Sequence, residues 1–161
     1  MENKSDLQKD TEILTHFGEN YADQFGAVTP PIYMNSLHVV PKEHLYDPQP
    51  VPFIYGRISN PTADLFERKI AALERAEKAL SFASGMAAIS SCILANVGHG
   101  DHIVAVDFAY GPTREFIKDD LPKFGIENTF ASGKTVSDFA NVIRPNTKLF
   151  YLESPATGIF Y

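Results

Sequence analysis

An α/β fold, with a mostly parallel sheet and helices on both faces, is predicted by three observations. Apolar runs alternate with helix-forming segments from residue 79 to 153. Two of the runs, His102–Val106 (HIVAV) and Lys148–Leu152 (KLFYL), are continuously apolar or nearly so, as in strands buried on both faces. The third run, Leu80–Ala83, passes through Ser84 and Gly85 into the helix former Met86–Asn96. A strand, a tight exit and a helix start are the unit from which parallel sheets are built.

Composition sets the outer limits. The chain has 161 residues, enough for about one domain with a real core. A hydrophobic share of 44% and a charged share of 21% are those of a soluble globular protein. The net charge of −6, with no run of Lys or Arg, argues against a nucleic-acid surface. Cys92 is the one cysteine, so no internal disulfide framework exists. Its apolar helical setting predicts a small buried thiol. The N-terminal MENKSDLQKDTE is polar and lacks the apolar core of a signal peptide, and no stretch approaches the ~20 apolar residues of a membrane span. The expectation is a cytoplasmic protein without membrane partners.

Taken in order, residues 1–12 are expected to be frayed or briefly helical. Residues 13–40 carry apolar groups without a sustained period and are broken by Pro30 and Pro31, which predicts an extended arm. Such an arm lies along another surface, for which a partner subunit is a candidate. Residues 41–54, with Pro41, Pro48, Pro50 and Pro52, read as a loop. Asn60-Pro61 is a helix start, a side-chain cap followed by a proline at the first helical position. Leu65, Phe66, Ile70, Leu73 and Ala76 continue it at helical spacing to Ala76 or Glu77, and Glu67, Arg68, Lys69, Glu74 and Arg75 form its solvated face. Gly98–Asp101 is a turn, His102–Val106 a buried strand, and Pro112–Leu121 a helix ended by Pro122. Ile126–Phe130 is a weaker strand. Thr135 or Ser137 opens a short helix that Pro145 stops, and Lys148–Leu152 is another buried strand ending at Glu153.

In parallel sheets ligands sit beyond the carboxyl ends of the strands. Ser84-Gly85-Met86, Asp107–Gly111 and Glu153–Thr157 fall there. The first turn of a helix has unpartnered N–H groups and the positive end of the dipole, so the helix after Phe82 is a candidate anion site. Ser84 can cap it, and Gly85 lets an anion approach the backbone. The bland reading is an ordinary strand-to-helix turn. Arg57 offers a bidentate charge for a phosphate, Tyr55 a hydroxyl, and Tyr110 a flat face for an aromatic ring. Phosphate plus aromatic ring suggests pyridoxal phosphate. Three rival motifs fail. Gly98-His99-Gly100 precedes a strand instead of following one, His99-x-x-His102 has no further ligand cluster beside it, and Ser84 lacks a nucleophile elbow.

YGRISNPT (55–62), FASGMAAI (82–89), DFAYGPTREF (107–116) and ESPA (153–156) occur in that order, and GAVTPPIY (26–33) precedes them. This combination resembles the Cys/Met-metabolism family of pyridoxal-phosphate enzymes: cystathionine β-lyases, cystathionine γ-synthases and methionine γ-lyases. The resemblance runs from about His16 to the last residue. It implies a fold-type I transferase, with residues 1–54 as N-terminal arm and loop and 55–161 as an incomplete cofactor-binding large domain. It implies carbon–sulfur elimination or replacement on cystathionine-like amino acids. Tyr55 and Arg57 would bind the cofactor phosphate of a neighbouring subunit in a homodimer or homotetramer. Ser84, Gly85 and Met86 would hold phosphate in their own subunit. Tyr110 would stack on the pyridine ring and assist proton or leaving-group chemistry, and Glu153 matches an acid near the cofactor.

Two departures qualify the resemblance. The family's Schiff-base lysine and the aspartate that partners the pyridine nitrogen lie further along than Tyr161. Lys134 and Lys148 read as surface residues, so the chain is expected to be a truncated, inactive portion. The alternative is a non-catalytic piece limited to weak phosphate binding or subunit association. Ala156-Thr157-Gly158 stands where many γ-lyases and γ-synthases carry asparagine and proline, which leans toward the β-lyase branch. A strand at 148–152 with an open neighbour is an aggregation hazard. The isolated chain is therefore predicted to self-associate, and a clean monomer by light scattering would contradict this.

Overall fold

The computed structural model describes residues 4–44 and 51–156. Pro48 and Pro50 of the expected loop, and Thr157 and Gly158 after Ala156, lie outside the described residues. The chain divides into two compact units, Met1–Ser81 and Phe82–Tyr161.

The first unit is built on two helices. Helix α1 (Lys4–His16) is longer than the brief, frayed segment the sequence suggested and takes in the first residues of the predicted arm. Helix α2 (Pro61–Leu73) starts as expected: Asn60 Oδ1 accepts the Thr62 N–H at 2.9 Å, and Pro61 occupies the first helical position. It stops short of Ala76. Arg75 turns left-handed at φ 54°, the Ala76 N–H bonds back to the Ala71 carbonyl and the Arg75 N–H to that of Ala72. This pair of reverse bonds satisfies carbonyls at the helix end and outweighs the apolar periodicity beyond it. The predicted faces need revision too. Phe66 is exposed, whereas Lys69 is half-buried, its ammonium 2.6 Å from Glu19. The Lys69 bond holds the Glu19 carboxyl below the usual carboxylate range. Between the helices the arm is mostly irregular, with a short turn at Tyr21–Gln24. The Tyr33 N–H donates to Thr62 Oγ1 at 2.9 Å, and Asn60 Nδ2 donates to the Tyr33 carbonyl at 3.0 Å, so at this point the arm is docked on its own helix start. Phe25, Val28, Ile32 and Met34 remain exposed.

The second unit holds a three-stranded sheet of order β2-β1-β3, with both pairings parallel. Strand β1 (His102–Val106) is buried throughout, as its unbroken apolar run predicts. Ile103 and Ala105 pack with Ile93 and Val97 of α3 (Gly85–Asn96) and with Ile117, Leu121 and Ile126. Strand β2 (Glu127–Ala131) and strand β3 (Thr147–Tyr151) each sit one residue from the predicted span. β3 is not fully buried: alternate residues face solvent, with Phe150 exposed, because it borders β1 on one side only among the described residues. Leu80–Ala83 forms no strand, and Leu80 and Phe82 are exposed. A strand needs a ladder partner, and no described segment runs alongside this one.

Two helical expectations change. Pro122 does not end its helix. α4 (Gly111–Glu115) widens to a π turn over Phe116–Asp120, in which the Leu121 N–H reaches the Phe116 carbonyl. It then tightens to a 3-10 turn that contains Pro122 and closes at Gly125. Proline withdraws an N–H there, and the Asn128 side-chain amide donates to the Ile117 carbonyl at 2.9 Å. α5 (Val136–Ala140) ends before Pro145 is reached; at its start the Asp138 carboxylate accepts the Thr135 N–H at 3.0 Å. Cys92 is exposed on α3, because the helix turns Ile93 inward beside it.

His102 opens β1 fully buried, its two ring nitrogens 2.8 Å from Thr147 Oγ1 and 2.9 Å from Thr129 Oγ1. The histidine is thus a rivet across all three strands, not a metal ligand in waiting. Burial holds its ring below the ordinary histidine value, aided by the Arg144 charge and opposed by Glu127. The folded state therefore favours the neutral ring. Stability should be complete above the unfolded value of about 6.5 and decline as pH falls below it, toward the lower folded value. Urea midpoints compared at about pH 7 and about pH 5 check this, with a smaller fall expected in His102→Gln.

Candidate functional site

The carboxyl ends of β1 and β3 and the start of α3 enclose one open cleft of about 540 Å³, lined by Ser84, Gly85, Met86, Ile89, Tyr110, Tyr151 and Glu153. Each member arrives by a separate local cause. Ser84 is extended, and its hydroxyl accepts the Ala87 N–H at 3.1 Å, so helix α3 begins at Gly85. The N–H groups of Gly85 and Met86 precede any carbonyl that the helix could offer them. Tyr110 lies just beyond β1, at the residue before α4, and is exposed. Glu153 lies two residues beyond β3.

Gly85 carries the sharpest test of an anion cradle. A Cβ built there meets nothing within 4 Å, and its φ is not in the left-handed region. The fold does not need a glycine at this position. What a side chain would occupy is the open space in front of the free amides, which suits a phosphate drawn against the backbone. The residues present thus fit a phosphate-bearing aromatic cofactor: amides at one end, the Tyr110 ring at the other.

Glu153 is already engaged. Its Oε2 accepts the Tyr110 backbone N–H at 3.0 Å and the Tyr151 hydroxyl at 3.3 Å. Tyr151 was absent from the sequence reading. Its spacing is the signal: it stands two residues before Glu153, at the end of β3. Burial pushes the Tyr151 phenol up from its usual value; a hydrogen bond with Thr113 works against this and the Glu153 charge adds to it. Thr113, fully buried, donates to the Met86 sulfur at 3.4 Å and so couples α4 to the start of α3. Among the described residues no lysine, Lys134 and Lys148 included, lines the cleft.

Tyr55 and Arg57 belong to the first unit. Tyr55 pairs with Leu37 in an antiparallel bridge, and the Gly56 N–H donates to the Ser36 carbonyl at 2.7 Å. A Cβ on Gly56 would lie 2.9 Å from the Asn35 carbonyl oxygen, so this close approach does require glycine. The Arg57 guanidinium rests 5.1 Å from the centre of the Tyr55 ring, with Tyr55 half-buried and Arg57 exposed. The structure thus groups Ser84, Gly85, Met86, Tyr110 and Glu153 in one cleft, and Tyr55 with Arg57 in a second cluster.

Comparison with known proteins bears on this cleft. The sequence profile of the family described as Cys/Met metabolism PLP-dependent enzyme matches residues 10–160. The L-methionine gamma-lyase of Treponema denticola is 36% identical over 143 residues, which cover 86% of this chain and 36% of that protein. The cystathionine gamma-lyase of Bacillus subtilis is 35% identical over 151 residues, covering 94% of this chain and 38% of that protein. A crystal structure from Campylobacter jejuni, assigned as an O-acetylhomoserine (thiol)-lyase and containing N′-pyridoxyl-lysine-5′-monophosphate, superposes with a TM-score of 0.82 at 29% identity, over 92% of this chain and 37% of that one. The chain therefore spans between 36% and 38% of the length of these relatives.

Ser84→Ala should destabilise the chain by about 1 kcal/mol through loss of the cap. Gly85→Ala should leave stability unchanged or raise it by up to about 1 kcal/mol, since the added methyl meets no neighbour. Urea denaturation of the two variants checks the pair; equal destabilisation would mean that Gly85 serves the fold.

Proposed function

Because the chain belongs to the Cys/Met metabolism PLP-dependent enzyme family, we propose that it supplies one wall of a pyridoxal-phosphate site used for carbon–sulfur bond elimination or replacement on cystathionine-like amino acids. The observation that carries this reading is the open helix start at Gly85, facing a cleft shared with Tyr110 and Glu153.

The Gly85 and Met86 amides, left free while Ser84 caps the Ala87 N–H, would bind the phosphate with the positive end of α3. The Tyr110 ring would lie against the pyridine ring, and its hydroxyl would assist proton transfer at the substrate. Glu153 borders the cofactor through the two tyrosines it holds. Pyridoxal phosphate, when bound, supplies an electron sink for charge developing on the amino-acid substrate. Tyr55 and Arg57 reach the phosphate of a neighbouring copy, Arg57 as a two-pronged donor, which makes the working assembly a homodimer or homotetramer. In this reading residues 55–161 are part of the cofactor-binding domain, preceded by an arm over 1–54, in a cytoplasmic enzyme of sulfur amino-acid metabolism. The absence of lysine from the described cleft favours a narrower capability for the 161-residue chain by itself: phosphate binding without lyase turnover.

The 161-residue chain is expected to bind pyridoxal phosphate, to release it to excess inorganic phosphate, and to liberate no thiol from cystathionine or methionine. Equilibrium dialysis with competing phosphate, followed by a thiol assay, reads both parts. Cofactor binding indifferent to phosphate would refute the cradle, and thiol release would refute the inactivity.

A further inference from the structure

The cleft contains a carboxylate, Glu153, one oxygen of which accepts hydrogen bonds from two tyrosines. We propose that Glu153 is a positioning residue that fixes the Tyr110 ring in the cleft, with Tyr151 as a second aromatic wall held on the same oxygen. This rests on the pyridoxal-phosphate reading above and assigns within it a task to Glu153 and a place to Tyr151.

The geometry at Tyr110 explains why a clamp is needed. Tyr110 is 43% exposed, so packing alone does not hold it. The residue precedes α4 without any side-chain cap of its own. Its carbonyl accepts the Arg114 N–H at 3.0 Å, and its N–H donates to Glu153 Oε2 at 3.0 Å. Both backbone groups of Tyr110 are therefore tied, one by the following turn and one by the far strand. The second tie crosses 43 residues of sequence and joins the ends of the β1 and β3 connections. The Tyr151 hydroxyl donates to the same Oε2 at 3.3 Å. Two donors on one oxygen fix the direction of the carboxylate, as a clamp requires. A negative charge beside an anion cradle is also less repulsive when donors already surround it.

Pyridoxal phosphate and inorganic phosphate separate ring positioning from cradle integrity, because only the first has a ring. Both are titrated against the full chain, Glu153→Ala, Glu153→Gln, Tyr110→Ala and the Glu153→Ala/Tyr110→Ala double variant. Glu153→Ala should weaken pyridoxal phosphate roughly tenfold and leave phosphate within about twofold. Glu153→Gln, whose amide oxygen still accepts the Tyr110 N–H, should keep most of the affinity. In the Tyr110→Ala background Glu153→Ala should have no further effect, since the ring it positions is gone. Equal weakening of both ligands by Glu153→Ala, or additive losses in the double variant, would overturn the proposal. A parent chain that binds neither ligand would instead sink the pyridoxal-phosphate reading.

A ligand-free measurement keeps the clamp testable in that event. With no tryptophan in the chain, ultraviolet absorbance follows tyrosine ionisation directly. Glu153→Gln should move one phenol to lower pH, and Tyr151→Phe should remove that phenol from the titration. An unchanged titration in Glu153→Gln would refute the Tyr151 bond.

Discussion

The complete burial of β1 is the constraint from which the second unit follows. Five successive buried residues need a strand on either side and a packed layer over the pleat. β2 and β3 meet the first need, both in parallel register. Ile93 and Val97 of α3, with Ile117 and Leu121, meet the second against Ile103 and Ala105. Parallel strands with a common direction end at a common edge. Tyr110, just after β1, and Glu153, just after β3, are therefore delivered to the same edge although 43 residues separate them. The start of α3 lines the same cleft.

The electrostatics of that edge combine opposing elements. The free amides of Gly85 and Met86 favour an anion. Glu153 brings a negative charge to the same cleft. The conflict is eased because one of its oxygens accepts two hydrogen bonds, from the Tyr110 backbone and the Tyr151 hydroxyl. At the opposite end of the sheet, His102 solves a different problem. A polar ring buried at the head of an apolar strand would be costly alone, and two threonine hydroxyls on the flanking strands satisfy both nitrogens. One end of β1 is thus riveted by neutral hydrogen bonds, while the loop beyond the other leads into an open polar cleft.

Where the sequence misled, a non-local or end-specific interaction had prevailed over a local pattern. Leu80–Ala83 has strand composition but no ladder partner among the described residues. The end of α2 is set by the left-handed turn at Arg75, whose reverse hydrogen bonds no periodicity count detects. Pro122, a helix stop on paper, is absorbed by a π turn and a 3-10 turn. Cys92 lies within an apolar run, yet the helical rotation that buries Ile93 exposes it.

Local chemistry alone determined the caps at Asn60 and Ser84, the buried run His102–Val106, the α/β alternation and the motif set that marks the family, because each is written in adjacent residues. The tertiary structure alone decided that Ser84, Gly85, Met86, Tyr110 and Glu153 share one cleft with Tyr151. It also decided that Glu153 reaches the Tyr110 backbone and that His102 bonds to Thr129 and Thr147. The reason is physical: hydrogen bonds between residues 27 to 45 positions apart depend on strand register and helix packing, which the whole core sets and no short stretch encodes.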